Sequence, residues 1–318
     1  MKKRFMRILA LLSALILILP LGVACGQTHG ENGKINILCT TFPLYDWTKN
    51  VVGESDTVTV ELLVSSGTDP HSFQPSVADI AKISESDLLI HVGGYSDAWI
   101  QDAAKQAKNT TLLTVSEIEG ITLISLEGEE HTHSHEEESH THGDFDEHIW
   151  LSLKNAMVSS QYICDTVVSL DSNNAEYYKS NLAKYLDSLT ALDAEYEALI
   201  TSKPLVFADR FPFRYLTSDY DIGYFAAFEG CSSDVDASFE TVIELAKAID
   251  ENTLAYILVT ESSDKKLAEG VIAQTQRKDA KIAILDSMQS ATLNKIQEGY
   301  TYISAMKANL ETLKTVLK

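Results

Sequence analysis

Basic residues are scarce. The 318-residue chain carries 25 Lys and Arg against 46 Asp and Glu, a formal net charge of −21. A surface of that sign repels polyphosphate, which argues against nucleic acid as a partner, and it raises the local concentration of cations. Cysteine is nearly absent as well. Of the four present, Cys39, Cys164 and Cys231 remain once Cys25 is set aside, an odd and sparse set that leaves room for one bridge and makes no disulfide framework. No HExxH pair and no GxSxG elbow occurs, so the familiar signatures of a zinc peptidase and a serine hydrolase are missing.

What the chain does have begins at its N-terminus. Lys2, Lys3, Arg4 and Arg7 precede an apolar stretch from Ile8 to Val23. A membrane-spanning helix takes about 20 apolar residues, and this stretch is shorter and broken by Pro20 and Gly22, so it reads as an export signal over residues 1–24. Ala24, Cys25 and Gly26 resemble a bacterial lipobox, with Gly22 where such boxes carry Leu. A diacylated Cys25 would tether the chain to the outer face of the cytoplasmic membrane. Removal of the leader leaves 21 basic residues against 46 acidic ones, a net charge of −25.

From Ile35 onward, short apolar runs alternate with amphipathic stretches of helix length. INILCTT, VTVELLV, DLLIHV and TLLTV read as strands in the first half, and PLVFAD, IGYFAAF, LAYILVT and KIAILDS in the second. That alternation predicts an α/β fold of two lobes with largely parallel sheets. Between the lobes, Leu182, Tyr185, Leu189, Leu192, Tyr196 and Leu199 recur at spacings of three and four, the stripe of one long helix. Asn173 with Glu176 gives it a start signal, Pro204 marks its end, and at 1.5 Å per residue it would span about 40 Å. The expected organisation is a leader (1–24), a tether (25–34), an N-terminal lobe (35–172), the long helix (173–202) and a C-terminal lobe (203–318).

Two histidines sit where ligands bind in such folds. GTDPHSFQPS puts His71 in a proline-framed loop after a strand, and DEHIWLSL puts His148 beside an apolar run. Neutral imidazole is a favoured zinc ligand. His91, inside DLLIHV, reads as structural. Residues 127–147 hold five histidines (His131, His133, His135, His140 and His142) and nine acids, and no Lys or Arg falls between Lys108 and Lys154. Such a segment is too polar to bury itself, and its imidazoles are suited to transient metal capture.

GTDPHSFQPS, HVGGYSDAWI, the acidic histidine-rich insertion, DEHIWLSL, the long mid-chain helix and LDS before a final helix together resemble the extracytoplasmic metal-binding proteins of bacterial ABC importers, the zinc group in particular. The resemblance covers nearly all of residues 35–318. It implies two α/β lobes joined by one rigid helix, with the metal held in the cleft between them by both lobes. By position it implies His71 and His148 as N-lobe ligands and Asp286 as a C-lobe carboxylate. One position departs from the pattern: Ala208 stands where the family carries His or Glu, which leaves Asp209, Cys231, Glu261 or water to complete the site.

The function implied is capture of Zn²⁺ by a membrane-anchored, exported monomer and its delivery to an ABC permease, without catalysis. Manganese import is the runner-up, since manganese prefers oxygen-rich cages that these residues do not obviously supply. The same histidines could also serve a zinc-dependent hydrolase, and the insertion could serve an adhesin or a metal-storage protein.

Overall fold

The computed structural model describes residues 33–64, 67–105, 107, 109–126, 145–199, 201–228 and 237–318. The leader, Cys25 and the five histidines of the insertion lie outside them. All eight expected strands are present. The first sheet contains β1 (Ile35–Cys39), β2 (Val58–Leu62), β3 (Leu88–His91) and β4 (Thr111–Thr114) in the order β2-β1-β3-β4. The second contains β5 (Leu205–Phe207), β6 (Tyr224–Ala226), β7 (Tyr256–Thr260) and β8 (Lys281–Leu285) in the order β6-β5-β7-β8. Every pairing is parallel, and the two orders are the same when counted within each sheet. The protein is therefore an α/β chain of two lobes, each built on a four-stranded parallel sheet.

Parallel strands need long crossovers, and helices supply them. The helices are α1 (Phe42–Val52), α2 (Val77–Glu85), α3 (Trp99–Ala104), α4 (Leu153–Leu170), α5 (Ala175–Glu197), α6 (Arg214–Asp219), α7 (Phe239–Glu251), α8 (Lys266–Gln274), α9 (Leu293–Gln297) and α10 (Tyr302–Val316). Local chemistry sets several of their starts. Ser76 and Asp79 form a reciprocal capping box at α2, as Thr301 and Ser304 do at α10, and the Ser152 hydroxyl accepts from Asn155 N at the head of α4.

The mid-chain stripe forms α5, whose buried face consists of Tyr178, Leu182, Tyr185, Leu189, Leu192 and Tyr196. Its 23 residues correspond to about 35 Å. The helix opens at Asn174 rather than Asn173, because residues Ser172–Asn174 first make a 3-10 turn. No helix among the described residues is long and apolar enough to cross a membrane.

The largest apolar core runs through both lobes. Leu44 and Trp47 from α1, Tyr185 and Tyr196 from α5, Phe207 from β5 and Tyr302 and Met306 from α10 belong to one buried cluster. The final helix thus returns from the C-terminal lobe to the N-terminal one, where Tyr302 meets the edge of Trp47 with ring centroids 5.4 Å apart. Buried polar links reinforce the return: Tyr302 Oη donates to Trp150 O and Tyr196 Oη to Met306 O, each at 2.6 Å.

Candidate metal centre

His71 is held by a short turn that the sequence specifies locally. Pro70–Ser72 form one turn of 3-10 helix after β2, and Asp69 caps it by accepting from His71 N at 3.0 Å. The second oxygen of Asp69 receives Arg210 from the C-terminal lobe, an ion pair across the cleft. Gly67 makes this close approach feasible. It lies at φ +73, and a Cβ there would come within 2.8 Å of the Thr292 methyl on the opposite lobe.

His148 caps the 3-10 turn Ile149–Leu151 that leads into α4, and it is buried. Asp146 fixes it twice, accepting from His148 N at 2.9 Å and sitting 2.7 Å from His148 Nδ1. Glu147 does the equivalent for the other ring, with Oε1 3.0 Å from His71 Nδ1, while its Oε2 accepts from Ser96 N and Ser96 Oγ at 2.9 and 2.6 Å. Burial pushes the Glu147 carboxyl up, but the His71 hydrogen bond, the charge that either imidazole carries when protonated and the Ser96 hydrogen bond outweigh it and hold it below the ordinary carboxylate range.

These carboxylates decide the tautomers. A carboxylate accepts, so each ring carries its proton on Nδ1 and turns the Nε2 lone pair into the cleft. His71 Nε2 and His148 Nε2 lie 3.2 Å apart. Two lone pairs facing each other at that distance repel, and only a cation or shared N–H donors relieve them. The Gln289 carboxamide stands at this point, its Nε2 3.0 Å from His71 Nε2 and 2.8 Å from His148 Nε2. Tetrahedral zinc with Zn–N bonds of 2.0–2.1 Å separates its ligand nitrogens by about 3.3 Å, close to the imidazole spacing seen here.

The two expected N-lobe ligands are therefore together, and the expected C-lobe one is not with them. Asp286 accepts from Met288 N through Oδ1 and from Tyr300 Oη through Oδ2, both at 2.8 Å. Met288 lies at φ 62, so the chain turns after Asp286 and presents the residue three positions on. Among the described residues no three His, Cys, Asp or Glu side chains converge as a metal site. Asp209 is committed to Thr260, whose N and Oγ1 it accepts at 3.0 and 2.7 Å. Ala208 is buried in the C-lobe core. Glu261 accepts from Ser287 N, Ser287 Oγ and Ser290 Oγ, and burial followed by the nearby Asp286 charge raises its carboxyl above the ordinary range. Cys231 lies outside the described residues. Cys39 and Cys164 are buried free thiols, and burial pushes Cys39 up to about 12, far from thiolate chemistry. His91 is buried, with Nε2 3.0 Å from Thr114 Oγ1.

Sequence reasoning did not single out Gln289, Asp146 and Glu147, which the structure brings against the two imidazoles. The triplet Asp146-Glu147-His148 carried a signal, since two acids directly before a ligand-type histidine are placed to orient imidazoles. Gln289 carried little, because an amide in a loop has no distinctive spacing.

The family model for ZnuA, described as zinc-uptake complex component A, periplasmic, matches residues 37–316. The chain belongs to the ZnuA family. Among relatives of this family, the zinc-binding lipoprotein AdcA of Streptococcus pneumoniae serotype 4 is 33% identical over 317 residues, which is 98% of this chain and 60% of that protein. This chain thus spans less than two thirds of the AdcA length. The high-affinity zinc uptake system protein ZnuA of Bacillus subtilis is 29% identical over 294 residues, covering 92% of this chain and 90% of that one. The crystal structure of the Zn(II)-bound ZnuA-like domain of S. pneumoniae AdcA superposes with a TM-score of 0.71 at 28% identity, over 90% of this chain and 99% of that domain.

Proposed function

We propose that this ZnuA-family chain captures Zn²⁺ outside the cytoplasmic membrane and delivers it to an ABC permease, performing no reaction itself. One observation carries the reading: two Nε2 atoms 3.2 Å apart, each on a ring whose Nδ1 faces a buried carboxylate. Carboxylate-backed imidazoles are the usual construction of a zinc site, and a strongly acidic surface draws cations toward it. Zinc binding by AdcA and zinc uptake by B. subtilis ZnuA support the same cargo.

In this reading residues 35–172 and 203–318 are the two lobes, residues 173–202 link them, and a single copy suffices. His71 and His148 are the N-lobe ligands. Asp286 would have to leave Met288 N and Tyr300 Oη to join them. His131, His133, His135, His140 and His142 give the metal a first, transient hold. Cys25 carries the lipid that keeps the protein at the membrane. Metabolic labelling with a palmitate analogue should mark the wild type and not Cys25→Ser. An imidazole-rich donor set favours zinc over manganese.

Calorimetric titration with Zn²⁺ tests the core of the proposal. His71→Ala and His148→Ala should each weaken binding more than tenfold, about 1.4 kcal/mol or more. Wild-type affinity in both variants would remove the assignment.

A further inference from the structure

We propose that Gln289 is the C-lobe donor to the cation, binding through its amide oxygen, and that this uncharged donor sets the selectivity of the site; the inference rests on His71 and His148 as the other ligands. The Gln289 amide nitrogen and the two Nε2 atoms form a nearly equilateral triangle with edges of 3.2, 3.0 and 2.8 Å. A tetrahedral zinc ion at 2.0–2.1 Å from three donors requires edges of about 3.3 Å, so the three side chains need to open by only a few tenths of an ångström.

The amide has reason to turn over. The oxygen and nitrogen of a carboxamide occupy nearly the same space, and hydrogen bonding decides which points where. With its nitrogen toward the imidazoles, Gln289 Oε1 lies 3.1 Å from Ser287 Oγ, and Glu261 Oε1 lies 2.9 Å from the same hydroxyl. A serine hydroxyl has one proton. Given to the carboxylate, it leaves two oxygens facing each other at Gln289. Rotation of the amide by half a turn puts Nε2 against the Ser287 lone pair as a donor and brings Oε1 to the imidazoles. Three lone pairs then converge on one point, which is the arrangement a cation completes.

The nearby carboxylates are occupied elsewhere. Asp286 serves Met288 N and Tyr300 Oη, and Glu261 serves Ser287 and Ser290. A donor set of two neutral imidazoles and a neutral amide leaves the full charge of the ion uncompensated by its immediate ligands. Hard cations such as Mn²⁺ and Ca²⁺ depend on anionic oxygen ligands, whereas Zn²⁺ and other borderline ions bind imidazole well. Gln289 therefore acts as a filter that rejects manganese by withholding a carboxylate.

The test uses the full chain titrated with Zn²⁺ and, separately, Mn²⁺, with the visible spectrum of the Co²⁺-loaded protein as a readout of the donor set. Gln289→Ala should weaken zinc at least tenfold and alter the Co²⁺ spectrum. Gln289→Glu should tighten manganese at least tenfold and by a larger factor than zinc, and thermal melting should confirm that both variants are folded. Should Gln289→Ala fail to fold, Gln289→Glu decides alone. If both variants stay within twofold of wild type for both metals while His71→Ala and His148→Ala lose zinc, Gln289 is not a ligand and the histidine site stands. If Asp286→Asn costs zinc tenfold while Gln289→Ala costs nothing, the carboxylate is the donor and the proposal falls. If the histidine variants bind zinc as wild type does, the whole site is misplaced.

Discussion

Asp146 offers a test of the site that leaves every proposed ligand in place. It is 4% exposed, its Oδ1 is 2.7 Å from His148 Nδ1, and its Oδ2 lies 3.5 Å from Arg214 Nε. The carboxylate does two things for His148: it pins the ring in one orientation, and its charge makes Nε2 a better base. Groups in this position behind a metal-bound histidine are worth 10- to 100-fold in affinity. Asp146→Asn keeps an oxygen for Nδ1–H and loses the charge, so it belongs at the lower end, about tenfold or about 1.4 kcal/mol. Asp146→Ala also frees the ring and belongs at the upper end, about a hundredfold or about 2.8 kcal/mol. Competition against a zinc-binding fluorophore at pH 7.5 reads both values, with a thermal melt run alongside because each variant removes the Asp146 charge beside Arg214. Zinc affinities within twofold of wild type in both, with folding intact, would refute the argument that this carboxylate tunes a ligand.

Two further outcomes are expected. Burial raises the Asp46 carboxyl to about 6, against the opposing hydrogen bonds from Tyr302 and Tyr185. A carboxyl raised in the folded state contributes stability below its unfolded value near pH 4 and loses it as the pH climbs through 6. Relative to Asp46→Asn, which retains an acceptor for Asn50 and Tyr185, wild type should lose up to about 3 kcal/mol between pH 4 and pH 7, and urea unfolding curves that stay parallel across that range would contradict it. Deletion of residues 129–143 should leave the tight zinc site unchanged in calorimetry while lowering the total zinc bound; loss of the tight site would make the segment structural.

The strands were readable from the sequence because each is a short apolar run bounded by turn residues, and in both halves the run is followed by a helix. The Leu182–Tyr196 stripe was readable for the same reason: its period matches a buried helical face. The start of that helix was misread by one residue, since Asn173 and Asn174 both suit a cap and only the 3-10 turn before Ala175 separates them. His71 and His148 stood out by residue type and loop context. Gln289 did not, because its position follows from the left-handed turn at Met288, and nothing in LDSMQS signals that Met288 adopts φ 62. Asp286 entered the expected site by its position in the family pattern, and here its carboxylate serves Met288 N and Tyr300 Oη, as an aspartate at the start of a turn readily does.

The apolar cluster shared by Trp47, Tyr196, Phe207 and Tyr302 has a thermodynamic consequence. Two sheets with separate cores would melt as separate bodies, each at its own temperature. Here neither lobe can come apart without stripping the other of aromatic surface, and α10 cannot leave Trp47 without exposing both rings. Calorimetry should therefore record one endotherm whose van't Hoff and calorimetric enthalpies agree, despite the two-lobed outline. The N-terminal lobe expressed without α10 would present Trp47 and its neighbours to water and should aggregate rather than fold.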